Sequence, residues 1–229
     1  MIIWNEIDTV LLDMDGTLLD LNFDNYFWHD YLPLKWGELR GIDAESAKRQ
    51  LMPRFINTAG TLSWYCLDFW SEQLGIDILV LKSDIGHLIK ERPHALSFLQ
   101  FLKSMNKQKS LVTNAHQSLI DMKFKRTQIG SHFDNVFCAH QFGHPKESLE
   151  FWKNLQESFP FNPSNTLLID DNIDVLRTAG EYGIQHLFTI AQPDSCKPAR
   201  ECDEFIAIKS FAEFSNAESS NNTDPTLDG

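Results

Sequence analysis

Two aspartates one residue apart, Asp13 and Asp15, follow the apolar run Val10–Leu12 and lead into Gly16 and Thr17. Carboxylates this close raise one another's proton affinity unless a cation offsets them, so the spacing asks for a chemical use. Phosphoryl transfer is one. A carboxylate can attack phosphorus as a covalent nucleophile, while a second protonates the leaving oxygen and later deprotonates water. In extended chain a one-residue gap points both side chains the same way, and Gly16 permits a sharp exit. A calcium loop of the EF-hand type fails on spacing, because it needs Gly at its sixth position and Glu at its twelfth. This chain has Leu18 and Asp24 there. A solvated acidic turn is the plain alternative for the segment taken alone.

Three later segments carry related chemistry. In Leu111-Val112-Thr113-Asn114-Ala115, a hydroxyl followed by main-chain amides can hold a phosphoryl oxygen, although Thr at a strand end is commonplace. In His144-Pro145-Lys146-Glu147, a lysine after a proline-fixed turn can supply a point charge, although alone it reads as a solvated surface lysine. In Leu167-Leu168-Ile169-Asp170-Asp171-Asn172-Ile173-Asp174, adjacent acids again call for a counter-charge. Mg²⁺ suits such a site, since it takes few protein carboxylates and fills its shell with water or phosphate. Asp174 reads equally as the cap or first residue of a helix.

The elements that must position these groups are legible around them. Short apolar runs at Thr9–Leu12, Ser110–Thr113, Val136–Cys138, Thr166–Ile169 and His186–Ile190 predict buried strands. Helical spacing predicts a helix over Arg92–Met105 with Pro93 near its start, and another over Asp174–Tyr182 ending near Gly183. Alternating strands and helices predict an α/β fold, a doubly wound parallel sheet, with ligands at the carboxyl ends of the strands. Residues 21–90 break the alternation. They hold helix-like pieces rich in aromatics, punctuated by Pro33, Gly41, Pro53 and Gly60, and predict a helical cap inserted after the first strand. The expected organisation is therefore a core of 1–20 and 91–214, a cap of 21–90, and a disordered polar tail of 215–229.

The joint order Asp-x-Asp-Gly-Thr, then Thr, then Lys, then Asp-Asp, each after a hydrophobic run, resembles the haloacid dehalogenase superfamily of aspartate-nucleophile phosphohydrolases. The resemblance spans residues 8–210 or so. It implies Asp13 as nucleophile and metal ligand, and Asp15 as general acid/base that also lends its main-chain carbonyl to the metal. It further implies Thr113 and Asn114 as phosphoryl-binding groups, Lys146 as the charge stabiliser, and Mg²⁺ as cofactor. In the family's Gly-Asp-Ser-x-x-Asp pattern the glycine falls on Asp170 and the metal-binding aspartate on Asp171. The chain departs at Asn172, in place of the serine, and at Val175, in place of the last aspartate. Asp171 is thus the firmer ligand and Asp170 an inner- or outer-sphere partner. The segments DTVLLDMDGTLLDLNFDNYFW, TLSWYCLDFWSEQLGIDI, TNAH, FGHPKE and LLIDDN are similar to the bacterial GMP/IMP 5′-nucleotidase subgroup. That likeness includes the cap, and implies a purine nucleoside monophosphate as substrate.

Among cap aromatics, core packing is the leading expectation, with Trp64, Leu67 and Leu74 at helix-core spacing. Asn25, Tyr26 and Trp28, nearest the catalytic loop in sequence, are the candidates for substrate contact, since a base gains ~1–3 kcal/mol by stacking on an aromatic ring. A phosphatase or phosphomutase for another small phosphoester, such as a sugar phosphate or phosphoglycolate, fits the same motifs. A phospho-acceptor receiver module also uses Asp, Thr and Lys, but places its acidic pair first and lacks so large an insertion.

Composition narrows the partners. With 20 basic against 32 acidic residues the formal charge is −12, which disfavours a nucleic-acid binder but allows a small phosphoester beside a metal. No run approaches the ~18 apolar residues of a membrane span, and the first residues lack a basic region followed by a long apolar one. Four scattered cysteines without a CxxC pair read as reduced. A cytoplasmic protein with no membrane partner is the expectation. Oligomeric state is not legible.

Overall fold

The computed structural model describes residues 2–214; the expected disordered tail, 215–229, lies outside the described residues. Strand β1 (Thr9–Leu12) is followed by a run of helices: α1 (Asn22–Tyr26), a π-turn at Phe27–Tyr31, α2 (Leu32–Arg40), α3 (Ala44–Thr58), a 3₁₀ turn at Leu62–Tyr65, α4 (Leu67–Leu74) and α5 (Ile78–Asp84). Helix α6 (Ala95–Ser104) leads into β2 (Gln108–Thr113), α7 (Gln117–Arg126), β3 (Asn135–Cys138), α8 (Ala139–Phe142) and α9 (Leu149–Ser158). The chain closes with β4 (Thr166–Ile169), α10 (Ile173–Tyr182), β5 (His186–Ile190) and β6 (Ile206–Ile208).

All six strands are parallel, in the order β3-β2-β1-β4-β5-β6. This is the doubly wound order whose direction of winding reverses beside the first strand. Parallel strands buried on both faces read as unbroken apolar runs, and β1 does so. Val10 and Leu12 pack into one core with α6 and α7, while Leu11 joins Val112 and Leu168 in a second core beneath α9 and α10. The register sets Leu12 beside Leu111 and Ile169, so Asp13, Thr113 and Asp170 emerge at the same end of adjacent strands.

The chain enters and leaves the helical run through one short antiparallel crossing. Leu19 bridges Glu91, the Asp20 N–H donates to the Lys90 carbonyl, and the Arg92 N–H donates to the Leu18 carbonyl. Local chemistry differs from the sequence expectation at three points. The Arg92–Met105 helix starts only at Ala95, because Pro93 biases its predecessor towards extended backbone and His94 is left-handed (φ 65°). Pro53 punctuates nothing and sits inside α3, where it removes only one helical donor. Strand β6, three residues long, was not among the expected strands, because its short apolar run Phe205–Ile208 stands in a polar neighbourhood.

Candidate active site

Asp13 leaves the end of β1 with its N–H donated to the Ile169 carbonyl of β4. Lys146, 2% exposed, sits at the centre of the strand ends. Its Nζ donates to Asp13 Oδ1 at 2.6 Å, to Asp170 Oδ2 at 2.6 Å and to the Val112 carbonyl at 3.1 Å, so three acceptors match its three protons. Burial opposes the Lys146 charge, but Asp13 and Asp170 outweigh it and raise the pKa. Far from being a solvated surface residue, Lys146 is the buried counter-charge of the strand ends. Burial pushes Asp13 up to about 6 despite Lys146.

One carboxylate oxygen each from Asp13, Asp170 and Asp171 falls within 4.8 Å of the others. Asp170 is engaged at both oxygens, accepting from Lys146 and from the Asn172 N–H at 2.9 Å. Asp171 has no ion pair at its carboxylate among the described residues. Burial, followed by Asp170 and Asp13, raises its pKa well above the usual range. Three carboxylates against one lysine leave an excess of buried negative charge on hard oxygen donors, and a divalent cation such as Mg²⁺ fits that donor set. Gly16 makes the approach possible. Its φ is +80°, and a Cβ there would lie 2.6 Å from the Asp171 carboxyl carbon.

Asp15 lines the same cavity as Asp13, but the strand has already ended at Leu12 and the two side chains are held by different lysines. Asp15 Oδ1 accepts from Lys123 Nζ at 2.5 Å, and burial pushes its pKa up to about 6 against that pairing. Thr113 is buried, and its Oγ1 accepts from the Ala115 N–H at 3.1 Å. The Asn114 amide is committed at both ends. Its oxygen accepts from the Lys146 N–H at 2.9 Å and its nitrogen donates to Glu147 Oε2 at 2.9 Å, which fixes the side chain against the Lys146 loop.

Sequence reasoning passed over several groups here. Glu147 gathers Asn114, Asn172 (3.0 Å) and the Tyr65 hydroxyl (2.6 Å), tying the 3₁₀ turn of the helical run to the strand ends. Lys123 and Lys82 are each 1% exposed. Their signal was present: each falls on the buried face of its helix, beside Leu119 and Ile120 in α7 and beside Ile78 and Leu81 in α5. The remaining sequence candidates divide. Asn25 and Trp28 line the cavity, whereas Tyr26 does not; it is 39% exposed, with its ring against Tyr31. Asn25 donates to Asp194 Oδ2 at 2.7 Å. Trp64, expected in a helix core, instead lies in the 3₁₀ turn and stacks on Trp28, centroids 5.2 Å apart at 29°. Phe23, Phe27, Trp36, Phe55 and Trp70 are buried packing, as expected of most aromatics in this segment. The cavity enclosed by these walls measures about 500 Å³.

A doubly wound sheet with acids and a lysine converging at its switch point defines a hydrolase-type site, and the chain belongs to the haloacid dehalogenase-like hydrolase family, whose model matches residues 7–183. It is 41% identical over 194 residues to the GMP/IMP nucleotidase YrfG of Escherichia coli (strain K12), covering 85% of this chain and 87% of that protein. Among solved structures, it is similar to a HAD phosphatase from Thermococcus onnurineus, with TM-score 0.76 and 18% identity over 93% of this chain and 98% of the other. It is also similar to the L-2-haloacid dehalogenase from Xanthobacter autotrophicus, with TM-score 0.61 and 13% identity over 95% and 100%. At these identities the likeness is one of fold. No helix among the described residues is long and apolar enough to cross a membrane.

Proposed function

We propose that the protein is a Mg²⁺-dependent 5′-nucleotidase that hydrolyses purine nucleoside monophosphates of the GMP and IMP type through an aspartyl-phosphate on Asp13. The observation carrying this reading is the convergence of Asp13, Lys146, Asp170 and Asp171 at the floor of a cavity whose wall is the Trp28–Trp64 stack. The 41% identity with a GMP/IMP nucleotidase supports the substrate.

Asp13 attacks phosphorus in line, and Lys146, already shared between Asp13 and Asp170, keeps the nucleophile ionised and offsets charge on the phosphoryl oxygens. Thr113 Oγ1 and the main chain of Asn114 hold those oxygens. Asp15 gives its proton to the departing ribose 5′-oxygen, then takes one from the water that releases phosphate. A proton affinity near 6 suits a group that must do both. Asp13 and Asp171, with the Asp15 carbonyl, would hold the cation directly, and Asp170, engaged at both oxygens, would stand behind them. When bound, Mg²⁺ supplies Lewis-acid neutralisation of the phosphoryl group. The helical segment after β1 acts as a cap that keeps bulk water from the leaving group.

Phosphate release from a panel of nucleoside monophosphates and sugar phosphates tests the reading. IMP and GMP should be preferred, EDTA should abolish turnover, and Asp13→Asn should fall to background. An Asp13→Asn protein as active as wild type would sink the mechanism, and a preference for hexose phosphates would sink the substrate.

A further inference from the structure

Four buried charges extend from Asp15 into the helical segment. Lys123 Nζ on α7 donates to Asp15 Oδ1 at 2.5 Å and to Asp24 Oδ2 on α1 at 2.7 Å. Lys82 Nζ on α5 donates to the other Asp24 oxygen at 2.7 Å. The faces of Phe27 (4.3 Å) and Phe23 (4.9 Å) cover the Lys82 ammonium, and Phe23 (5.1 Å) also covers that of Lys123. The two acids and two bases balance. Burial favours neutral Asp24, but Lys123 and Lys82 outweigh it and hold the carboxyl well below the usual carboxylate range.

Stability does not account for this arrangement, because desolvating ion pairs typically costs as much as their attraction returns, and apolar side chains of similar volume would serve as well. What the chain of charges provides is direction. Lys123 cannot swing away from Asp15 without abandoning Asp24, and Asp24 is fixed from its far side by Lys82. With Oδ1 of Asp15 tied, Oδ2 is the oxygen left to carry the proton.

We infer that Lys123, Asp24 and Lys82 are positioning residues that aim the Asp15 carboxyl at the leaving oxygen; this rests on the reading of Asp15 as general acid. None of the three touches the reacting atoms. Their effect should therefore appear only where the leaving group needs a proton. An alkoxide such as the ribose 5′-oxygen needs one, whereas p-nitrophenolate departs without it.

The test is single-turnover release of inosine from IMP and of p-nitrophenol from p-nitrophenyl phosphate, in the full chain with Mg²⁺, so that the later water attack does not enter. Lys123→Met should slow inosine release about 100-fold and Asp24→Asn about 10-fold, with p-nitrophenol release within about threefold of wild type. KM for IMP should move little, and Lys123→Arg should recover part of the loss. If Lys123→Met does not fold by circular dichroism, Asp24→Asn and the charge-balanced pair Asp24→Asn with Lys82→Met decide. Equal slowing of both leaving groups, or a change in KM alone, overturns the positioning role. Asp15→Asn separates the two ideas. If it slows inosine selectively and the network variants do not, only the network inference fails. If it treats both leaving groups alike, the acid role of Asp15 fails as well.

Discussion

Gly16 and Asp171 are far apart in sequence and nearly in contact in space. An alanine methyl at position 16 would meet the Asp171 carboxyl at 2.6 Å, in a backbone conformation with φ +80°. Gly16→Ala should destabilise the fold by about 1–2 kcal/mol through the left-handed strain alone, lowering Tm by roughly 3–6 °C. It should also weaken Mg²⁺ activation more than tenfold, because a displaced Asp171 misplaces the whole donor set; a Mg²⁺ titration of activity beside a thermal melt reads both. Asp13 and Asp170 were legible because each stands just past an apolar run, where charge is out of place; Thr113 ends such a run and Lys146 follows a proline turn, and both were read from the joint order of the motifs. Lys123 and Lys82 were hidden because a lysine within a helix reads by default as a solvated one. Only the apolar neighbours three and four residues away mark the face as buried. Asn114 was found, but not its use: no spacing rule says that both ends of its amide are taken by the Lys146 loop.

Among the elements, the strands were the most legible, since β1, β4 and β5 begin and end where their apolar runs do. Strand β2 extends two residues further towards its start, through Gln108 and Lys109, whose polar side chains concealed it. The run from α1 through α2 was legible as helical but not as interrupted. A π-turn at Phe27–Tyr31 widens the helix by a residue, a form frequent at functional sites. It carries Trp28 and His29, both facing the cavity, while Phe27 remains in the core. The partner ring, Trp64, comes from a 3₁₀ turn that no hydrophobic period forecasts. If a purine packs against this stack, Trp64→Ala should raise KM for IMP about 5- to 100-fold, with kcat nearly unchanged. Activity on a small phosphoester without a base should be little affected. Steady-state kinetics on the two substrates distinguish this from a general loss of fold.

At the scale of the molecule, an acidic chain concentrates part of its negative charge at one set of strand ends. In the metal-free protein, burial raises the proton affinity of Asp13, Asp15, Asp170 and Asp171. The unfolded chain gives up these protons near pH ~4, whereas native Asp13 and Asp15 hold theirs to about 6, so between these values the native state binds more protons and stability falls as pH rises. Asp24, shifted the other way, contributes stability above about pH 4 that is lost only in stronger acid. The chelated protein should therefore melt at a higher temperature at about pH 5 than at about pH 7.5, and the rise in Tm produced by Mg²⁺ should be larger at the higher pH. Scanning fluorimetry with Mg²⁺ or EDTA across this range checks both, and a Mg²⁺ shift that shrinks as pH rises would contradict the donor set. The strand order has a last consequence, in time rather than in space. Strand β1 leaves the ribosome before the other five strands, yet its partner β4 begins at Thr166, after β2 and β3 have been made. A nascent chain that has paired β1 with β2 still holds one bare edge of its central strand, open to mispairing. Asp13 is synthesised well before Asp170, and the nucleophilic role proposed for it has no site until Asp170 arrives beside it.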